Sequence, residues 1–199
     1  NTAIVMSGDA KGARGFVTGK HGGCEHLLCY FDQETMEKMT IGDKIDVRSQ
    51  GQGMKLIDYP DILLRNMSPE LLEKMNIEEK DGKLKVGVAK IVPACIMGCG
   101  LGASTSYYGD YDITLHDKKI TEEYGLQNLR FGDIVAITDA DTRFGRNFMT
   151  GAMTIGVVVH SDCILAGHGP GVTTLMTCKT PLIEAFIDEN ANLHDYFVR

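Results

Sequence analysis

The 199-residue chain is 43% hydrophobic and 24% charged, a globular balance, and its length suits one domain or two small ones. A net charge of −7 excludes the clustered Lys and Arg of a nucleic-acid surface, and no apolar run approaches the roughly 20 residues of a membrane helix. Neither the charged start nor the apolar h-region of a secretory signal is present, so a cytoplasmic protein is expected.

Asn1 stands where a native start would carry Met or a small processed residue. The expectation is a longer precursor whose N-terminal segment is cleaved or missing. Asn1 cannot act as an N-terminal nucleophile, and Thr2 is one place too late. The six cysteines (Cys24, Cys29, Cys95, Cys99, Cys163 and Cys178) lack the Cys-x2-Cys pairs of zinc ribbons. Reduced, mostly buried thiols are expected.

In VMSGDAKGARGFVTGKHGGCEHLLCYFD, glycines punctuate short β-branched and aromatic runs as turns do in a small barrel. SGDAKGARGFVTGK resembles a KOW-type hairpin of SH3-like barrels, with Lys11, Arg14 and Lys20 as a small basic edge. His21 and His26 read as surface or hydrogen-bonded histidines. Asp32–Met39 predicts a short helix capped by Asp32 with Met36 and Met39 inward. Gly42-Asp43 predicts a turn into the alternating Ile45 and Val47, and GQG at 51–53 another turn.

Ser68-Pro69-Glu70 opens a helix that presents Leu71, Leu72 and Met75 to the core. Asp81-Gly82 predicts a hairpin turn before a Leu84–Val92 strand. The loop from Pro93 to Asp112, PACIMGCGLGASTSYYGDYD, is rich in small residues and places Asp110 and Asp112 on one side if extended. Lys118–Tyr124 predicts a helix closed by Gly125, and Pro181–Ile187 another. Beyond Asp188 a polar arm is expected, packed on a partner subunit of a homo-oligomer.

The chemistry concentrates in 131–177. The strand-like runs Ile134–Ile137 and Ile155–Val159 empty into Asp139 and Asp141, and into His160 and Asp162. The loop Gly167-His168-Gly169-Pro170-Gly171 follows. Polar groups at strand ends beside a backbone free to approach a ligand are how small-molecule and metal sites are built.

SGDAKGARGFVTGKHGG, GQGMKLIDYPD, GDYDI, RFGDIVAITDAD, GAMTIGVVVHSD and GHGPGVTTLMT together resemble one prokaryotic family, the domain of unknown function 4438, over nearly the whole chain. The resemblance implies a mostly β protein of several small barrel- or sandwich-like lobes, and family chains longer at the N-terminus. It brings no activity and no catalytic residues. The expected fold is mainly β with a few short helices: an SH3-like lobe over 1–60 and a mostly β lobe carrying the site over 61–199.

Two histidines with carboxylates suit zinc, manganese or iron, with an open position for water. The leading expectation is a metal-assisted hydrolase of a small polar, amide-like substrate. Asp110, Asp112, Asp139, Asp141 and His160 would be its ligands, with Asp162 and His168 for proton transfer. Arg143 and Arg146 would clamp an anionic group, and Gly167, Gly169 and Gly171 would offer backbone N–H groups to an oxyanion. Acetamidase/formamidase-type enzymes offer an analogy at the level of fold alone.

A metal-free pairing of His160 and Asp162 with Cys163 or Thr173 ranks lower, because neighbouring strand residues face opposite ways. A non-enzymatic small-molecule-binding or assembly protein is the alternative. It predicts ordered Arg–Asp pairs in 139–146 and no metal. An RNA role through the KOW-like hairpin ranks last.

Overall fold

A computed structural model describes residues 1–22, 26–99 and 105–198. Cys24 and the middle of the glycine-rich loop, 100–104, lie outside the described residues.

Three sheets carry the chain, and none closes into a barrel among the described residues. The first runs β3-β2-β1-β4, from β1 (Thr2–Val5), β2 (Arg14–His21), β3 (His26–Tyr30) and β4 (Ile45–Arg48), all antiparallel. The second is the centre. Its path is β5 (Leu63–Leu64), β12 (Gly171–Cys178), β11 (Asn147–Val158), β10 (Ile134–Asp141) and β8 (Lys90–Pro93), with β9 (Tyr111–Asp112) also paired to β12. The third is β13 (Ile183–Ile187), β7 (Lys83–Val88) and β6 (Ile77–Lys80). The mainly β class with short helices is thus as expected.

The central strands are apolar on both faces because both are covered. Ile134 and Ala136 pack with Ile155, Val157, Leu175 and the third sheet's Val86 and Val88. Val135 and Ile137 pack oppositely, with Val158, Val172, Tyr111 and Ile113. A strand buried on both sides reads as a continuous apolar run, which is why Ile134–Ile137 and Ile155–Val159 stood out.

The helices begin where their caps dictate. In α1 (Gln33–Lys38), Asp32 accepts from the Thr35 N–H, and in α2 (Pro69–Lys74), Ser68 accepts from the Leu71 N–H. α3 (Lys118–Glu123) is followed by Gly125 at φ +62°. Among the described residues no helix is long and apolar enough to cross a membrane.

Three local expectations are corrected. Met36 faces solvent, and Thr35 is the buried residue of α1. Ile183–Ile187 is strand β13, parallel to β7 with Ile183 opposite Leu84; long-range pairing overrides local helix preference. The stretch beyond Asp188 folds back as α4 (Leu193–Phe197) with Ala191, Asn192 and Leu193 buried, and Asn192 Nδ2 donates to Asp133 at 2.8 Å.

Candidate functional site

Six side chains meet where β2, β9 and the two ends flanking β11 and β12 converge. Asp112 pairs with Gly171 across β9 and β12, and Asp110 stands two residues earlier. The two carboxylates therefore point one way and Tyr111 the other, into the core. His160 follows the last residues of β11, where Val159 N–H donates to Gly171 O at 2.9 Å.

The first sheet brings the third element. Lys20 N–H donates to Thr173 Oγ1 at 3.1 Å, and that hydroxyl donates back to Lys20 O at 3.0 Å. Gly19 permits the crossing, since a Cβ there would overlap Val159 and stand 2.8 Å from Thr173 Oγ1. The staple delivers His21 and Gly22 to the acidic pair.

Gly22 N–H donates to Asp110 Oδ1 at 2.6 Å, leaving Oδ2 to face His160 Nε2 at 2.7 Å. The His21 and His160 rings meet edge to face with centroids 4.9 Å apart. One donor atom from each of His21, Asp110 and His160 lies within 4.8 Å of the other two. Gly171 makes this possible: any Cβ there would overlap Asp110 Oδ2 and His160 Nε2.

Burial pushes Asp110 upward, yet the hydrogen bonds from His160 and the Gly22 N–H outweigh it and hold the carboxyl below its usual value. Bonds to Asp110, then Asp112, raise His160 to about 10 against partial desolvation. Its other nitrogen, Nδ1, lies 3.0 Å from Ser161 O. Both ring nitrogens thus face acceptors, as an imidazolium requires.

Asp112 joins this cluster to a second. Its Oδ1 is 3.5 Å from His160 Nε2 and its Oδ2 is 3.0 Å from His168 Nδ1. On the far side of that ring, His168 Nε2 lies 3.6 Å from Cys99 Sγ. Two glycines create the approach. Cys99 N–H donates to Gly167 O at 2.5 Å, and a Cβ on Gly98 would overlap that carbonyl.

Of the residues named from sequence, Asp110, Asp112, His160 and His168 come together, with Gly167, Gly169 and Gly171 along their edge. The glycines supply space: Gly169 sits against Ile113 O as Gly171 does against the imidazole. Asp162 is exposed and turns its Oδ1 to the Cys163 N–H at 2.8 Å.

Asp139, Asp141 and Arg143 belong elsewhere. Ile134 pairs with Val157 beside His160, whereas Asp141 pairs with Asn147 at the other end of β10, on the order of 20 Å along the strand. Asp139 has φ +54° at a register shift and accepts from the Gly151 N–H at 2.8 Å, which makes it the bulge residue of a hairpin. Asp141 is buried and takes Arg143 in bidentate fashion, Nε at 2.8 Å and Nη2 at 2.7 Å. Arg143 is thereby engaged, while Arg146 donates to Gly98 O, next to Cys99.

His21, Gly22 and Cys99 were not read from sequence as site residues. Their only local signal was position: HGG sets His21 directly before two glycines, and GCG sets Cys99 between two.

The chain belongs to the DUF4438 family. The N-terminal domain of unknown function matches residues 1–73 and the C-terminal one residues 74–197. The match lends no support to a missing upstream segment. A crystal structure of the protein TM1086 is similar over 98% of this chain and 69% of that one, at 50% identity and a TM-score of 0.92. No curated protein matches the chain.

Proposed function

We propose that the protein is a metal-dependent hydrolase acting on a small polar, amide-like substrate, with His21, Asp110 and His160 holding one zinc, manganese or iron ion. The observation that carries it is the convergence of one donor atom from each of the three residues within 4.8 Å. Two imidazoles and one carboxylate leave open positions for water and substrate. The surroundings support the assignment. Ser161 O receives the far nitrogen of His160 and the Gly22 N–H holds the far oxygen of Asp110, the outer bonds that orient ligands toward a cation.

A bound cation supplies a hydroxide from water whose pKa falls to about 7, and polarises the carbonyl. His168, 45% exposed and held by Asp112, stands at the solvent side as the proton carrier. A homo-oligomer in the cytoplasm is part of the same proposal, checked by light scattering and fractionation.

Elemental analysis of protein purified without chelator or metal resin tests the assignment. Wild type carries about one equivalent of a transition metal, and His160→Ala and Asp110→Asn lose it. Wild type without metal, and without uptake on titration with Zn²⁺ or Mn²⁺, overturns it.

The ordered Asp141–Arg143 pair favours a second reading, a non-enzymatic binding or assembly protein, since such a protein needs that cluster only as structure. The same metal analysis separates the two.

A further inference from the structure

We propose that Cys99 is a nucleophile, activated by His168 and positioned through Asp112, that accepts the acyl group of small esters and amides. The proposal goes beyond the metal assignment and does not rest on it: neither Cys99 nor His168 is among the three converging donors, and in place of its proton-carrier role under that assignment His168 here serves as base to the thiol.

The geometry separates two kinds of cluster. In a chelating set each side chain turns one atom toward a common point, as His21, Asp110 and His160 do. In the Cys99 set the imidazole stands in the middle and uses both nitrogens: Nε2 toward Cys99 Sγ at 3.6 Å, Nδ1 toward Asp112 Oδ2 at 3.0 Å. One cation cannot take both faces of a ring. A thiol on one nitrogen and a carboxylate on the other is the order of nucleophile, base and orienting acid. Sulfur's size makes 3.6 Å an ordinary S–H···N separation, and such contacts are loose before substrate binds.

The backbone is shaped to hold this order. Gly98 N–H donates to Asp112 O at 2.6 Å and Cys99 N–H to Gly167 O at 2.5 Å, so the strand bearing the acid and the loop bearing the base both pin the nucleophile's segment. His168 N–H donates to Leu165 O at 3.0 Å, closing the turn that presents the ring. Gly167, at φ +79°, lies close against the thiol: a Cβ there would stand 3.0 Å from Sγ, so only glycine lets the loop bearing the base approach this near. Cys99 is half-buried, and His168 is open enough for a leaving group to depart.

The steps balance. The Cys99 proton passes to His168 Nε2 while the sulfur lone pair forms an S–C bond at the carbonyl carbon. The C–O or C–N bond of the substrate breaks, and the His168 proton goes to the departing oxygen or nitrogen, leaving a thioester on Cys99. Water then adds to the thioester and gives a proton to His168. The C–S bond breaks, the acid leaves, and the proton returns to sulfur. The sum is acyl-X plus water giving acid plus HX, with no redox partner. Asp112 touches no substrate; it positions His168.

The test is site-resolved labelling with limiting iodoacetamide at pH 7, on chelator-treated and untreated full-length protein, read by peptide mass spectrometry. Cys95 is more exposed than Cys99 and serves as the internal control, with Cys163 as a second. Cys99 is expected to label at least about tenfold faster than Cys95, and His168→Asn to bring it down to the Cys95 rate. Asp112→Asn lowers the Cys99 rate less, and free imidazole restores part of the rate in His168→Ala.

p-Nitrophenyl acetate should then leave its acetyl group on the Cys99 peptide in wild type and on no cysteine in Cys99→Ser. A wild-type Cys99 no faster than Cys95, an excess that survives His168→Asn, or acetyl spread evenly over the cysteines overturns the proposal. The wild-type arm needs no variant to fold. A protein that fails the metal analysis can still pass here, and the reverse, so the two assignments fall separately.

Discussion

The chain writes Asp-x-Asp twice, and the two copies have opposite fates. Asp139 and Asp141 are closed. One carboxylate caps a bulge through Gly151 N–H, and the other is locked in two parallel bonds to Arg143. Asp110 and Asp112 instead face His160 and His168. An arginine partner keeps its proton at every accessible pH and fills the acid's lone pairs for good. An imidazole partner can lose its proton, and a cation can take the vacated place. The spacing is the same; the partner decides whether a carboxylate is structure or chemistry.

Removing the fixed partner should give the largest stability effect. Arg143→Ala strands a buried carboxylate and is expected to cost about 3 kcal/mol in urea unfolding, with metal content unchanged. Lost metal in this variant would show that the two ends are not separate.

Gly171→Ala acts at the other end. The added methyl must displace Asp110 or His160, so metal affinity should fall roughly 10- to 100-fold by competitive titration, at a cost of about 1–3 kcal/mol in stability. Unchanged affinity would mean the convergence of donors is not what binds.

Thr173→Val removes the staple that carries His21 to the site. About 1–2 kcal/mol is expected from the lost bonds, together with weaker metal binding, while the Cys99 labelling rate holds.

The pH response of chelator-treated protein sharpens the contrast further. His160 binds its proton more tightly in the fold, at about 10 against 6.5 unfolded. Its contribution is therefore whole below about pH 6.5, fades through the interval and is gone above about pH 10. The hydrogen bonds from Arg143 hold Asp141 below its usual 3.8, so that end contributes fully above this value and loses stability as pH falls through the lower folded one. Urea midpoints across pH should show an alkaline decline that His160→Gln removes and an acid decline that Asp141→Asn removes.

The smallest effect concerns the residue between the functional pair. Among the described residues the buried Tyr111 hydroxyl has no hydrogen-bond partner, so Tyr111→Phe should leave stability unchanged or raise it by up to about 1 kcal/mol.

What the sequence disclosed follows how far each feature reaches. Asp32, Ser68 and Asp81-Gly82 were legible because a cap or a turn is settled within four residues. The central strands were legible because two-sided burial writes an unbroken apolar run. β13 was not, since only its parallel partner β7 makes it a strand. At the site, His160, His168 and the Asp110/Asp112 pair could be named from residue type and strand ends. His21 could not, because a contact between sheets puts it there; nor could Cys99, because the pinch of Gly98 against Gly167 joins loops far apart in the chain.

The Lys20–Thr173 staple has a consequence in time. Its partners are 153 residues apart, and Gly22 and Asp110 are 88 apart. Contacts of such long reach close late, after the local hairpins have formed. A ribosome-bound chain therefore exposes its thiols and imidazoles before it can align them. Metal binding would switch on only as β2 docks onto β12 and brings His21 to Asp110 and His160, a step that metal uptake followed during refolding would time.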